Sequence, residues 1–410
     1  MDLGRLRGVL RWGGIGLASA QIISLIGLSW VDRRRRQRRV DARFPTGPPA
    51  SVSLGDAGDL TVYTRGADLY ADMIEAIDSA TTSVHLETYI WKADEVGQEF
   101  KEALTRAVDR GVEVYVVYDT FGNTVVRPSF YRFDPRIQVI RHRPWTGLSA
   151  LPVRGPGLNH RKILVVDSAV AFVGGYNVGT LYATQWRDTH ARVRGIAAAE
   201  LENAFVDYWN QTRHPSQPAV PQPRSRSWAS FATVIRNVPS LGVYPIRYMY
   251  MEAIDRAEKR IWLTHAYLIP DSDFLFALAE AVRRGVDVRI MVPAESNHIM
   301  ADWASRAFYS TMLRNGIRLF LFQGAMVHAK TGTIDGRWST IGTANLDRAS
   351  LTGNFEVNLA VLSDDLAAVM EDIFALDSTQ CTELTLEEWS RRPLAAKVSE
   401  LVLSPLGPLL

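Results

Sequence analysis

Cysteine is almost missing from this chain. Cys381 is the only one in 410 residues, which excludes any disulfide within the molecule and fits a reducing compartment. Histidine is scarce too, at eight. His85, His142, His214, His265 and His298 show neither ligand spacing nor an acid partner, so no metal motif is visible. Net charge is also small, at +2, but it is unevenly placed: the first forty residues hold nine Arg against Asp2 and Asp32, which is +7 and leaves −5 for the rest. An enzyme of nucleic acids spreads positive charge along its working face. A basic excess confined to one end favours a membrane contact instead.

Trp12 to Val31 is an uncharged run of twenty residues, long enough to span a bilayer. Arg5, Arg7 and Arg11 precede it, and Arg33 to Arg36, Arg38 and Arg39 follow. We read 1–40 as a membrane anchor with basic flanks, an interfacial helix being the alternative. Ala18-Ser19-Ala20 mimics a cleavage site, yet the apolar run continues through Ile22, Ile23, Leu25 and Ile26, which argues against a removed leader. The heavier Arg cluster after the run predicts a cell-membrane protein whose body is cytoplasmic.

The remainder has the length and apolar content, 47% over the whole chain, to bury a sizeable core. Its dominant feature is a repeat: His160, Lys162, Asp167, Gly174 and Asn177 recur as His328, Lys330, Asp335, Gly342 and Asn345, each 168 residues later. On a strand, residues i and i+2 share a face, so each His-x-Lys pair would point into one pocket. Such a pocket offers an imidazole to attack or donate a proton, an ammonium for a phosphate oxygen and an amide for another. Two copies suit displacement at a phosphodiester, one His forming a phosphohistidine and the other protonating the leaving alkoxide, with the two Lys and two Asn offsetting charge.

The surrounding pattern is duplicated as well. A helix near 71–79, a strand 83–91, a helix 100–109 and a strand 112–118 are replayed by 251–257, 260–269, a helix ending at Arg284 and a strand 286–292. Gly111 and Gly285 each follow a helix and precede a strand, where a left-handed cap belongs. The divisions read as an anchor 1–40, a linker 41–59, a first lobe 60–213, a Pro-rich connection 214–226, a second lobe 227–385 and an amphipathic tail 386–410.

The doubled His-x-Lys-x4-Asp signature, with its Gly and Asn, strongly resembles the phospholipase D superfamily. Trp186-Arg187-Asp188-Thr189-His190, Asn345-Leu346-Asp347-Arg348, Glu87-Thr88-Tyr89 and the tail with Trp389 narrow the resemblance to bacterial cardiolipin synthases, over roughly residues 60–410. It implies an α/β fold, a phospholipase D-like duplicated α/β/α sandwich of two similar lobes with the active site at their interface, here preceded by the membrane helix. It further implies transfer of a phosphatidyl group between two phosphatidylglycerol molecules, with His160 as nucleophile and His328 as acid and then base. No cofactor or nucleic-acid partner is expected; the partners are phosphatidylglycerol, other anionic phospholipids and the membrane. A hydrolytic phospholipase D, another phosphodiesterase or a nuclease is the nearest alternative, and an inactive lipid-binding protein the more distant one.

Glu356 and the motif acids Asp167 and Asp335 are candidates to orient the imidazoles. The alternative for each Asp is to cap a turn after its strand. His190 reads as a strand residue near the site. The apolar loop 143–157 is suited to meet lipid, and the stripe Leu394, Val398, Leu401 and Val402 to pack on the body or dock on a membrane.

Overall fold

A computed structural model describes residues 43–55, 58–144, 157–221, 231–394 and 397. The proposed membrane helix, most of the loop 143–157 and most of the C-terminal stripe lie outside the described residues. Among the described residues no helix is long and apolar enough to cross a membrane.

The first half contributes β1 (Ala50–Ser53), β2 (Asp59–Tyr63), β3 (Ser83–Thr88), β4 (Glu113–Asp119), β5 (Gln138–His142), β6 (Ile163–Val166), β7 (Val170–Gly174), β8 (Trp186–Arg187) and β9 (His190–Arg194). All but β8 form one sheet, ordered β1-β2-β9-β7-β6-β3-β4-β5. The second half contributes β10 (Ala232–Asn237), β11 (Arg260–His265), β12 (Leu268–Ile269), β13 (Asp287–Pro293), β14 (Arg318–Phe322), β15 (Met326–Val327), β16 (Lys330–Ile334), β17 (Trp338–Gly342), β18 (Leu346–Asp347), β19 (Glu356–Leu362) and β20 (Cys381–Leu384). Its sheet runs β10-β19-β17-β16-β11-β13-β14-β20. Seven strands match in order, β2-β9-β7-β6-β3-β4-β5 against β10-β19-β17-β16-β11-β13-β14, and each sheet adds one edge strand of its own.

The matching units form for matching reasons. The helix Glu95–Asp109 begins where Asp94 accepts the Gly97 N–H at 3.0 Å, and it buries Phe100, Ala103, Leu104 and Ala107. Its counterpart Ser272–Arg283 begins where Asp271 accepts the Phe274 N–H, and buries Phe274, Leu278 and Ala281. Each side chain satisfies a donor that the first helical turn leaves orphaned. Gly111 and Gly285 end these turns at φ of 87° and 93°, the left-handed region expected of them. The parallel strands β3 and β4, like β11 and β13, are then joined by a helical crossover.

The lobes share a core. Val165, Val173, Ala191 and Leu201 of the first pack with Ile341, Val357, Leu359 and Met370 of the second, and the helices Ile196–Thr212 and Asp364–Ser378 run along the junction. Each fully buried Val, Leu or Ile contributes roughly 1.5–3 kcal/mol, so the junction holds the two lobes as one unit.

Three boundaries differ from the sequence reading. Ala50–Ser53, inside the expected linker, pairs with β2 and belongs to the first sheet, because alternate exposure of a short polar strand needs only an open sheet edge. The connection after His214 stays on the first lobe, where Asn210 pairs with Val220 through both its amide ends and Val220 is buried near Trp209. The second lobe continues past 385 through the helix Leu386–Ser390, whose Trp389 is buried and donates its indole N–H to Ser310 at 2.9 Å.

Candidate active site

Two equivalent backbone crossings stitch the seam. Asn159 bridges Phe355 in parallel, and the His160 N–H donates to the Phe355 carbonyl at 3.0 Å. In the second copy β15 pairs with β8, Val327 opposite Arg187, and the His328 N–H donates to the Arg187 carbonyl at 2.6 Å. Each motif histidine is therefore held by the opposite lobe. The strand expected to carry each pair starts later than its histidine: β6 opens at Ile163, and β16 opens at Lys330.

The imidazoles take their acid partners across the same seam. Nδ1 of His160 lies 3.0 Å from both carboxylate oxygens of Glu356, and Nδ1 of His328 lies 2.6 Å from Oδ2 of Asp188. All four residues are buried. A carboxylate on Nδ1 fixes the tautomer and leaves Nε2 as the working nitrogen. Aromatic rings wall the pair: Tyr89 meets His160 at 4.8 Å edge-on, and Trp186 meets His328 at 4.9 Å.

Lys162 and Lys330 complete the cluster. Each ammonium donates to the carbonyl of the histidine two residues before it, Lys162 at 2.6 Å. Burial, with Glu356 opposing it and Lys330 adding to it, brings Lys162 down to about 7, and burial brings Lys330 down to about 8. Burial likewise lowers His160, with Glu356 opposing and Lys162 adding, and lowers His328 well below the usual imidazole range. The resting histidines are thus neutral, and Asp188 is raised to about 6 by its own burial. A buried cluster of cations with this pattern is poised for an anion, whose charge restores theirs.

Asp167 and Asp335, grouped with the motif histidines and lysines as candidates to orient the imidazoles, do not join the cluster; each takes the alternative of holding a turn after its strand. Asp167, at φ 52°, accepts the backbone N–H groups of Thr81, Thr82 and Ser83 at 2.8, 2.8 and 2.9 Å and the hydroxyls of Thr81 and Thr82. Asp335, at φ 57°, accepts those of Glu258, Lys259 and Arg260, each at 2.8 Å. The reason is the length of strand between them: the Asp follows β6 or β16 at its far end, while the histidine precedes it. Partial burial pushes Asp167 up, but its donors outweigh that and bring it to about 2.

The motif glycines make room for the site's supports. A Cβ on Gly174 would lie 2.7 Å from Nδ1 of His190, and one on Gly342 would lie 2.3 Å from the amide of Asn358. His190 and Asn358 are themselves 168 residues apart. Asn177 spends its amide oxygen on the Ile90 N–H at 3.0 Å, which leaves the NH2 end of that side chain for an anion. Asn345 is buried with its amide oxygen unpartnered among the described residues. His190 opens β9 opposite Gly174, and burial takes it down to about 3. His265, set aside in the sequence, faces Lys330 across the sheet, and burial lowers it likewise to about 3.

Asp188 is the site residue that motif reasoning passed over. Its signal was present, since Asp188 and Glu356 stand at the same 168-residue offset as the motifs. The exchange of Asp for Glu hid the match.

Two duplicated sheets, each giving a His-x-Lys pair to one seam, define a phosphodiester enzyme of the phospholipase D type. A family model described as cardiolipin synthase, PLD-like domain, matches residues 73–209 and 250–377. A cardiolipin synthase of Clostridium perfringens (strain SM101) is 30% identical over 366 residues, covering 86% of this chain and 77% of that one. Another, of Staphylococcus aureus (strain Mu50), is 34% identical over 365 residues, covering 86% and 74%. The chain belongs to the cardiolipin synthase family. In fold it is similar to the crystal structure of phosphatidylserine synthase from Haemophilus influenzae Rd KW20, with a TM-score of 0.62 at 15% identity over 92% of this chain and 96% of that one. It is also similar to a polyphosphate kinase from Porphyromonas gingivalis, with a TM-score of 0.53 at 14% identity over 85% and 52%.

Proposed function

We propose that this protein is a cardiolipin synthase that transfers the phosphatidyl group of one phosphatidylglycerol to the glycerol hydroxyl of another, releasing glycerol. The observation that carries the mechanism is the crossed pairing of His160 with Glu356 and of His328 with Asp188, with both lysines between. Nε2 of His160 attacks phosphorus, and the bond from phosphorus to the departing glycerol oxygen breaks. His328, neutral in the free site, takes up a solvent proton at Nε2 as the anionic phosphate binds; that imidazolium is supported by Asp188 and by the phosphate charge, and it gives the proton to the departing alkoxide. The second phosphatidylglycerol then gives its hydroxyl proton to His328, its oxygen attacks phosphorus, and the bond to His160 breaks. Lys162, Lys330 and the Asn177 amide hold the non-bridging oxygens as charge grows on them. The unpartnered amide oxygen of Asn345 is an acceptor for a glycerol hydroxyl.

Membrane attachment through 12–31, with the lobes on the cytoplasmic side, is part of this reading. It rests on the apolar run and the Arg cluster after it. Both substrates are then presented at the surface to which the lobes are tethered.

The test is incubation of the purified protein with phosphatidylglycerol vesicles, without added metal, and mass analysis of the products. Cardiolipin and glycerol in equal amounts, lost in His160→Ala and His328→Ala, are expected. Phosphatidic acid as the sole product would make the protein a hydrolase. A phosphatidyl adduct that persists in His160→Ala would move the nucleophile to His328.

A further inference from the structure

The two halves of the site are not held alike. Glu356 is steadied by the hydroxyl of Thr343, whereas position 175, the counterpart of Thr343, is glycine. A Cβ there would lie 2.0 Å from Oδ1 of Asp188, so no side chain can support Asp188 from that direction. Asp188 is preceded instead by Arg187, one of the largest fully buried side chains in the protein. The residue 168 positions on is Phe355, which carries no charge.

Every part of Arg187 is engaged around the second half-site. Nε and one terminal nitrogen form a two-pronged bond to Asp377, at 2.9 Å to Oδ1 and 2.7 Å to Oδ2. The other terminal nitrogen donates to the Asp188 carbonyl and, at 2.9 Å, to the Thr189 hydroxyl. Its own carbonyl receives the His328 N–H at 2.6 Å. Asp377 lies in the helix Asp364–Ser378 of the other lobe. One residue therefore ties His328, through its carbonyl, to the backbone of Asp188 and to Asp377 of the opposite lobe, through its guanidinium. A fork-to-fork pair sets direction as well as distance, which a lysine at the same place could not.

We propose that Arg187, fixed by Asp377, is a positioning residue that sets the placement and protonation of the Asp188–His328 pair and so tunes only one of the two half-sites. The inference rests on the synthase reading above. Asp188 is faced by His328 and Lys330 from the second lobe, by Lys162, His190 and Arg187 from its own, and by the phenols of Tyr70, Tyr176 and Tyr182. Of these, Arg187 alone is joined to Asp188 through the chain and paired to a carboxylate of the other lobe. Removing its cation favours the protonated form of Asp188. Removing the charge of Asp377, with Arg187 in place, favours the ionised form.

The experiment is the pH profile of kcat in full-length Arg187→Met, Arg187→Lys and Asp377→Asn. Arg192→Met is the control, since it breaks a half-buried pair with Asp72 elsewhere in the first lobe. Arg187→Met is expected to lower kcat about tenfold to a hundredfold, the usual effect of a small misplacement, with KM within about twofold. Its acidic limb moves to higher pH. In Asp377→Asn the limb moves to lower pH, and in Arg187→Lys it returns toward the wild-type position while kcat stays reduced. Arg192→Met leaves it in place. Limbs unmoved in both Arg187→Met and Asp377→Asn, or moved in the same direction, overturn the proposal. Should Arg187→Met not fold, the near-isosteric Asp377→Asn and the charge-conserving Arg187→Lys decide alone. The profile is taken on whichever phosphodiester the wild type turns over, so a wrong synthase reading shows as missing cardiolipin in the wild type. A wrong role for Arg187 shows only in the variants.

Discussion

Asp188 holds the imidazole of His328 at 2.6 Å although the two belong to different lobes, and Glu356 holds His160 at 3.0 Å in the reverse sense. Neither lobe holds both members of either of these two pairs, so the proposed mechanism requires the seam to be closed. Asp188→Asn and Glu356→Gln should each keep the fold while letting the imidazole adopt the other tautomer. In a Ser-His-Asp triad the equivalent change lowers kcat about 10⁴-fold, and a fall of about 10²–10⁴ is expected here. Initial rates of cardiolipin formation on vesicles check it; rates within threefold of wild type would remove both carboxylates from the mechanism.

The lysines predict how anion binding depends on pH. With Lys162 at about 7 and Lys330 at about 8 in the free protein, an anion that restores their charge must bring protons with it as the pH rises. Inhibition by tungstate should weaken from about pH 7 to 9, by up to about tenfold per pH unit for each proton taken up. Lys162→Met should flatten that slope as well as raise the inhibition constant. A constant unchanged over this range would show that both lysines are already charged in the free site.

Asp167 and Asp335 should be residues of stability. Each satisfies three backbone N–H groups, and an orphaned donor costs about 1–3 kcal/mol. Asp167→Ala is expected to lower the midpoint of thermal unfolding by several degrees, with kcat of the folded protein within a few-fold of wild type. Because the folded pKa of Asp167 is depressed to about 2, its contribution is present above pH 4 and is lost as pH falls toward 2. The gap between wild type and variant in thermal scans from pH 6 down to 3 should narrow as the pH falls.

Two glycines distinguish crowding from backbone strain. In Gly342→Ala the new methyl meets the Asn358 amide at 2.3 Å and the Val357 carbonyl at 2.6 Å. In Gly285→Ala it meets nothing within 4 Å, but φ is 93°. The first should cost about 1–3 kcal/mol through forced repacking beside the site and lower kcat with it. The second should cost about 1–2 kcal/mol with kcat unchanged. Denaturant midpoints and initial rates measured together separate the two.

Much of this protein was readable before any coordinates. Hydrophobic periodicity located the repeated helices and strands, because a strand or an amphipathic helix is set by neighbours two to four residues away. Boundaries such as Ala50–Ser53 and the helix carrying Trp389 were missed because an open sheet edge and a core pocket, not local pattern, recruit them.

The sequence by itself determined that there are two half-sites, through motifs repeated at one offset, and with them the four cationic or imidazole groups of the chemistry. Only the tertiary structure decided which carboxylates serve them. Asp167 lies five residues from Lys162 in sequence, but the length of β6 carries it to the far end of the sheet, whereas Glu356 is 196 residues from His160 and touches it. Proximity along a strand is fixed by its rise per residue. Proximity across the seam is fixed by how two apolar sheet faces pack, and no local pattern encodes that.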